Sequence, residues 1–258
     1  MFKIFKNGKA SFGTLKTTFN GAVLDDVLSN TDGSFKTVKV YGRELLSEEH
    51  TATDVPGRDG SYYISRRYLP REIEVVAIIR GNSAAQMDNQ FTYLTGLLDT
   101  EKPAVLSFSD EPDHIFYGKY TSAERPDVWK NEAVIKLTFT CYDPFKYSNV
   151  KNASGNSLTY NGRRAYRPKI TLTLTSSGSE LKLSHTQSGR FVRIKGNYVS
   201  GQKIVFDMAS GAITQNGADI VSQFDMLGSR KISLVRGRND FVSSIPASIS
   251  VEYREVFI

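Results

Sequence analysis

Apolar side chains recur at every second residue along most of this chain, and that spacing belongs to a sheet. In a strand, successive side chains point to opposite faces, so a period of two makes one buried and one exposed face. Residues 71–80, REIEVVAIIR, place Ile73, Val75, Ala77 and Ile79 on one face. The other face begins with Glu72 and Glu74 and turns apolar at Val76 and Ile78, which predicts cover on both sides of its later part. In residues 133–141, Ile135, Leu137 and Phe139 point inward while Lys136, Thr138 and Thr140 point out. Shorter runs follow after residue 146: Ile170-Leu172-Leu174, Val192-Ile194, Ile204-Phe206, Ile232-Leu234 and Ile249-Val251-Tyr253. Ser188-Gly189, Ser210-Gly211 and Asn216-Gly217 punctuate them. Short strands with turn chemistry between them and no helical pattern predict an antiparallel sandwich.

One segment carries the other period. In residues 83–99, SAAQMDNQFTYLTGLLD, Met87, Phe91, Leu94 and Leu98 fall on one helical stripe. Ser83 and Gln86 make a capping-box pattern at its start, and Pro103 follows its end. The expected architecture is mainly β: a first domain over residues 1–145, a β-sandwich with this one covering helix, then a second antiparallel sandwich over residues 146–258. The polar stretch KYSNVKNASGNSLTYNGRRAYRP between them reads as a linker or a long first loop. Charge divides at the same place. Residues 1–145 hold 17 Lys and Arg against 20 Asp and Glu, and residues 146–258 hold 16 against 7. Such asymmetry predicts two domains that face different partners.

Few residues suggest catalysis. The three histidines, His50, His114 and His185, are isolated and belong to no metal-ligand motif. Gly8-Lys9 and Gly118-Lys119 lack the rest of a phosphate loop. Cys141, the single cysteine, rules out an internal disulfide and reads as a buried structural thiol. SDEPDH, with Asp110, Glu111, Asp113 and His114, has carboxylates close enough for a hard cation, but a solvated turn accounts for them better. The N-terminal MFKIFKNGKASFG lacks a signal-peptide core, and the longest aliphatic run, residues 75–79, falls far short of a membrane span. A soluble, non-enzymatic protein without a cofactor is expected.

Residues 55–68, VPGRDGSYYISRRY, stand out instead. Two turn signals, Pro56-Gly57 and Asp59-Gly60, run into three tyrosines and an arginine pair, where a loop is normally polar and bland. The stretch VPGRDGSYY with Gly57, Arg58, Asp59 and Gly60, the strand EIEVVAIIRG, the helix, LSFSDEP, FYGKY and LTFTCYDPFKYS with Asp143, Pro144 and Phe145 occur in order. In the second half RPKITLTL and KIVFDMASGAITQNG follow. Together, over nearly the whole chain, these resemble the distal tail protein (Dit) family of long non-contractile-tailed bacteriophages, especially those of Gram-positive hosts.

The resemblance implies a structural virion component at the tail tip or baseplate, made in the host cytoplasm. It implies a first domain with an extended hairpin that closes into a hexameric ring, and a galectin-like second sandwich. The implied partners are copies of itself, the major tail tube protein, a tail-associated lysin or tip protein, and receptor-binding or baseplate proteins. DNA would pass through the ring without specific binding. A ring needs two complementary patches on each subunit, and interface cores favour Tyr and Arg. Tyr62, Tyr63, Arg66, Arg67 and Tyr68 are therefore expected at a subunit or tail-tube contact. A mildly acidic ring domain would not hold a passing phosphate backbone, while the basic second domain suits an acidic partner or anionic wall polymer.

Two other functions remain open at this point. A carbohydrate-binding adsorption protein would use an aromatic platform in the second sandwich, with Tyr160, Tyr166, Tyr198 and Tyr253 as candidates. The single tryptophan, Trp129, lies in the first domain, and the Thr-Gln-Ser-Gly-Arg after His185 does not match the sugar-binding signature of galectins. A wall-degrading glycosidase would need paired carboxylates in a cleft, for which no constellation is visible.

Overall fold

The computed structural model describes residues 15–129 and 131–258, and of residues 125–129 the backbone alone. The N-terminal segment, Gly8-Lys9 and the Trp129 side chain thus lie outside the described residues. The chain divides into two compact units, Met1–Phe145 and Lys146–Ile258.

The first unit runs β1 (Thr17–Phe19), β2 (Ala22–Val23), α1 (Leu24–Val27), β3 (Gly33–Tyr41), β4 (Glu48–Asp54), β5 (Ser61–Tyr68), β6 (Arg71–Gly81), α2 (Ala84–Leu98), β7 (Ala104–Phe108), β8 (His114–Trp129) and β9 (Glu132–Cys141). Neighbouring strands follow the order β2-β1-β7-β8-β9-β6-β3. Strand β8 pairs with β7 through Ile115–Gly118 and with β9 from Lys119 onward, with bulges after Tyr120 and Glu124. Bulges bend a strand, so β8 carries the sheet over onto itself around one core. Phe19, Leu106 and Phe116 from one side meet Ile73, Val75, Ala77, Ile79, Ile135, Leu137 and Phe139 from the other, all buried. The alternation expected for residues 71–80 and 133–141 is thus present, with Val76 and Ile78 half-covered on the second face.

Helix α2 begins at the expected cap. Ser83 Oγ accepts from the Gln86 amide at 3.3 Å, and Gln86 Oε1 accepts from the same hydroxyl at 3.1 Å. Met87, Leu94 and Leu98 are buried and Phe91 packs against the same core. The one-turn helix α1 went unforeseen, because four residues are too few to show a period. It delivers Asp25, whose buried carboxylate accepts from the Thr17 amide (2.9 Å), the Thr37 amide (2.6 Å) and the Thr37 hydroxyl (2.8 Å). That carboxylate fastens β1 to β3.

The second unit contains β10 (Lys146–Ser148), β11 (Lys151–Ser154), β12 (Ser157–Tyr160), β13 (Lys169–Leu174), β14 (Gly178–His185), β15 (Arg190–Tyr198), β16 (Lys203–Asp207), β17 (Ile213–Gln215), β18 (Ala218–Asp219), β19 (Gly237–Ser243), β20 (Ala247–Tyr253) and β21 (Val256–Phe257). One sheet follows β11-β20-β13-β16-β17-β18 and a second follows β12-β19-β14-β15. Their inward faces share one core, including Ile170, Leu172, Leu181, Leu183, Ile194, Phe206 and Val251. This is the expected antiparallel sandwich. Two details differ from the sequence reading. The polar stretch 146–168 is no linker loop, since it supplies β10, β11 and β12. Ile232 and Leu234 are fully buried, yet Leu234 makes only an isolated bridge to Tyr166.

Candidate functional site

Strands β4 and β5 form a two-stranded sheet of their own. At about 3.3 Å per residue, such an arm reaches roughly 25 Å. Every residue of β4 is exposed, as is every residue of β5 except half-buried Tyr68. A lone two-stranded hairpin is marginal in water, so this arm depends on its base.

The base is clamped by two arginines that sequence reasoning missed. Arg71, 3% exposed, donates from Nε to the Pro144 carbonyl at 2.8 Å and from Nη1 to the Gly42 carbonyl at 2.9 Å, with its guanidinium over the Phe116 ring. Burial pushes its pKa below the ordinary arginine value. Arg43 forks onto Asp110 with two 2.8 Å bonds and stacks over Phe108, and those bonds hold its pKa up. Between them, Gly42 has φ +85°, and a Cβ there would lie 2.0 Å from the Glu72 carbonyl oxygen. Only glycine fits at that approach. The Asp-Pro-Phe motif belongs to the same base: Asp143 Oδ1 accepts from the Phe145 amide at 3.3 Å, and the Phe145 ring meets Tyr68 edge-on at 5.6 Å.

The faces of the arm are set by a bulge. Thr51 pairs with Ser65 and Ala52 with Tyr63, leaving Ile64 as the extra residue. Cross-strand partners share a face. Glu48, His50 and Ala52 therefore lie with Tyr68, Arg66 and Tyr63, whereas Glu49, Thr51 and Thr53 lie with Arg67, Ser65 and Tyr62. Contacts agree: Arg66 reaches Glu48 at 2.9 Å, His50 reaches Glu48 at 3.2 Å, and the His50 ring meets Tyr63 edge-on at 5.8 Å. On the other face Arg67 pairs with Glu49 at 2.5 Å. The His50 and Arg66 bonds hold the Glu48 carboxyl below its usual range. Exposed pairs of this kind stabilise little, so they order the side chains more than they strengthen the fold. At the tip, Gly57 and Gly60 have φ of +79° and +76°, Asp59 lies between Arg58 and Gly60, and the Arg58 guanidinium lies 3.9 Å from the Tyr62 ring centroid. Tyr62, Tyr63 and Ile64 remain 49%, 60% and 59% exposed, so this sheet presents apolar surface without a core behind it.

The other candidates have structural surroundings. Asp110 and Glu111 face Arg43, and His114 Nδ1 lies 3.2 Å from Glu111. Among the described residues, no group of three or more His, Cys, Asp or Glu is placed to hold a metal. Tyr160, Tyr198 and Tyr253 are buried in the sandwich core and Tyr166 packs against it, so none of them is an open sugar platform. His185 is fully buried. Cys141 is also fully buried, and desolvation pushes its thiol up to about 12. Folded protein is expected to leave a disulfide reagent such as DTNB unreacted and to release one equivalent on denaturation; prompt native reaction would mark a nucleophile instead.

Comparison with known proteins places both units. Residues 29–141 match the phage tail protein RIFT-related domain, and residues 161–257 match the siphovirus-type tail component, C-terminal domain. The distal tail protein of Bacillus phage SPP1 is 28% identical over 196 residues, covering 72% of this chain and 77% of that protein. The crystal structure of SPP1 Dit, described as a paradigm of the hub adsorption apparatus in phages infecting Gram-positive bacteria, superposes with a TM-score of 0.82 at 22% identity, covering 95% of this chain and 99% of that one. A chain of the phage P2 baseplate in its activated conformation with calcium follows at 0.52 and 10% identity, covering 93% of this chain and 97% of that one. With two tail-protein families matched in order along one polypeptide and a distal tail protein as relative, the chain belongs to the phage distal tail protein (Dit) family.

Proposed function

We infer that this protein is a non-enzymatic hub of the phage tail tip, closing as a hexameric ring that joins the tail tube to the tip or baseplate proteins. The observation that carries the reading is the β4–β5 arm. It is clamped at its base, exposed on both faces, and carries Tyr62, Tyr63, Arg66 and Arg67 where no core of its own covers them. Surface of that kind is stable in solution when another molecule covers it. A cyclic assembly needs two different patches per subunit, and an arm reaching away from its own sheet meets that need. In the assembled tail the first unit, with its 17 cationic and 20 anionic residues among positions 1–145, lines a channel that lets DNA slip past. The second unit carries receptor-binding or baseplate proteins.

Native mass spectrometry tests the ring. Six copies of the 28.8 kDa chain give a species of about 170 kDa. A monomer at every concentration, alone and with the tube protein, would remove the hub reading.

A further inference from the structure

One loop of the second unit holds two apolar side chains out in water on a braced frame. Leu227 is the most exposed large apolar residue among those described, and Met226 beside it is 80% exposed. The frame is the edge of β15. Phe224 bridges to Ile194, the Asp225 amide donates to the Arg193 carbonyl at 3.0 Å, and the Arg230 amide donates to the Phe191 carbonyl at 2.8 Å. Residues 226–229 bulge out between these anchor points.

The bulge is fixed in shape. Asp225 Oδ1 accepts from the Leu227 amide at 3.2 Å and the Gly228 amide at 3.4 Å, and the Ser229 amide donates to the Asp225 carbonyl at 3.1 Å. Arg193 donates from Nε to Asp225 Oδ2 at 2.7 Å and again from Nη2, while its amide donates to the Ser229 hydroxyl at 2.9 Å. A Cβ on Gly228 would lie 3.2 Å from Arg193 Nη2 and 3.6 Å from the Phe191 ring. One exposed leucine is ordinary, but two adjacent apolar tips on a loop held this closely mark a contact surface.

The surroundings of the tip are basic. Residues 180–195 and 224–231 hold six Lys and Arg against two acids, Glu180 and Asp225, and both acids face Arg193. The neighbouring cations rest on neutral groups. Arg190 donates to the Lys231 carbonyl at the loop's stem, Lys231 donates to the Ala209 carbonyl, and the Lys182 ammonium lies 4.2 Å from the Phe191 ring centroid. Exposed Arg230 stands in the stem itself. An apolar tip inside a cationic rim is complementary to an apolar pocket with carboxylates around it. Met, Phe and Arg are the residue types that protein interfaces enrich, and their anchors fill pockets. A lipid surface has no shape for a rigid tip to match, whereas a preformed tip lowers the ordering cost of entering a shaped pocket. Single-stranded nucleic acid wants an open stacking platform, and Lys182 covers Phe191.

We propose that Met226 and Leu227 form a plug that seats in an apolar pocket of another tail protein, whose surrounding carboxylates meet Arg190, Arg230 and Lys182. The proposal rests on the hub reading only for the partner's place in the tail. The test uses tails of the phage that carries this chain, with the photo-crosslinker benzoylphenylalanine in place of Leu227. Irradiation is expected to join the chain to one other tail protein, through a peptide richer in Asp and Glu than in Lys and Arg. Quantitative mass spectrometry of purified particles should find that protein reduced about tenfold or more by Met226→Ser with Leu227→Ser, or by Arg190→Glu with Arg230→Glu. Val199→Ser removes an exposed apolar side chain elsewhere on the unit and should leave the amount within about twofold. No cross-link in assembled tails, cross-links mainly to copies of this chain or to a basic peptide, or an undiminished partner in both double variants would each overturn the plug. So would flotation with phosphatidylglycerol vesicles at low salt that the double serine variant loses, which would assign the tip to a lipid surface. Native mass spectrometry follows the ring separately, so intact rings without a cross-link sink the plug and leave the hub standing. The cross-link decides even where a double variant assembles no tails.

Discussion

The Tyr63→Ala, Arg66→Ala double variant is expected to stay monomeric where the unaltered chain forms a ring, with its melting temperature within about 2 °C of the original. Tyr63 is 60% exposed and Arg66 forms only surface contacts, so truncation opens no cavity. Tyr63 and Arg66 share a face because of the bulge at Ile64, together with Tyr68, His50 and Glu48. Interface energy concentrates in a few Tyr, Trp and Arg residues near the patch centre, and this face holds the larger such cluster. The opposite face offers one tyrosine, Tyr62, with Arg58 stacked on it at the tip, and Arg67 tied to Glu49, among threonines and serine. Tyr62→Ala with Arg67→Ala should therefore leave the ring intact. Native mass spectrometry reads all three proteins at once. Rings from both doubles would exclude the arm from the subunit contact, and loss with the second double alone would reverse the face assignment.

Sequence patterns made the strands and the long helix legible where the determinants are local. Ile73, Val75, Ala77 and Ile79 announce a half-buried strand by themselves, and Ser83 with Gln86 announces a helix start. What was not legible depends on residues far apart. An unbroken alternation would put Tyr62 with Ile64, Arg66 and Tyr68; the bulge exists only in the pairing with β4, so the sequence of β5 cannot show it. Arg71 reads as a solvated strand end, yet it is buried because Gly42 and Pro144, 29 and 73 residues away, supply its acceptors. The stretch 146–168 hid β11 behind lysine, asparagine and serine, residues that an edge strand tolerates. His185 and Asn239 looked unremarkable for the same reason, being partners 54 residues apart.

Asn239→Ala is expected to cause the largest loss of stability in the second unit, about 3–5 kcal/mol, or a fall on the order of 15 °C in its melting temperature. The side chain is fully buried and satisfies four groups at once: the Val235 amide, the Val235 and Gly237 carbonyls, and His185 Nε2 at 3.0 Å. Removing it strands several polar atoms that water reaches poorly. A fall under about 3 °C would mean the turn relaxes and rehydrates freely. His185 supplies a second readout through pH. Its Nδ1 lies 2.8 Å from the Ser188 hydroxyl, the Phe241 ring stacks beside it, and Asp240 is the nearby charge. Burial lowers its pKa below 6.5, although the Asn239 bond and Asp240 oppose the shift. The unfolded chain thus takes up a proton that the folded unit resists, and stability should fall as pH drops below about 6.5 toward the folded value. Asn239→Asp reverses that sign. A carboxylate beside the imidazole favours imidazolium and raises the folded pKa, while its oxygen faces the Val235 and Gly237 carbonyls without a proton to offer. That variant should be weaker than the unaltered protein at pH 8 and recover part of the deficit as pH falls to 6. Parallel pH profiles for the two proteins would show that Asn239 and His185 do not act as a pair.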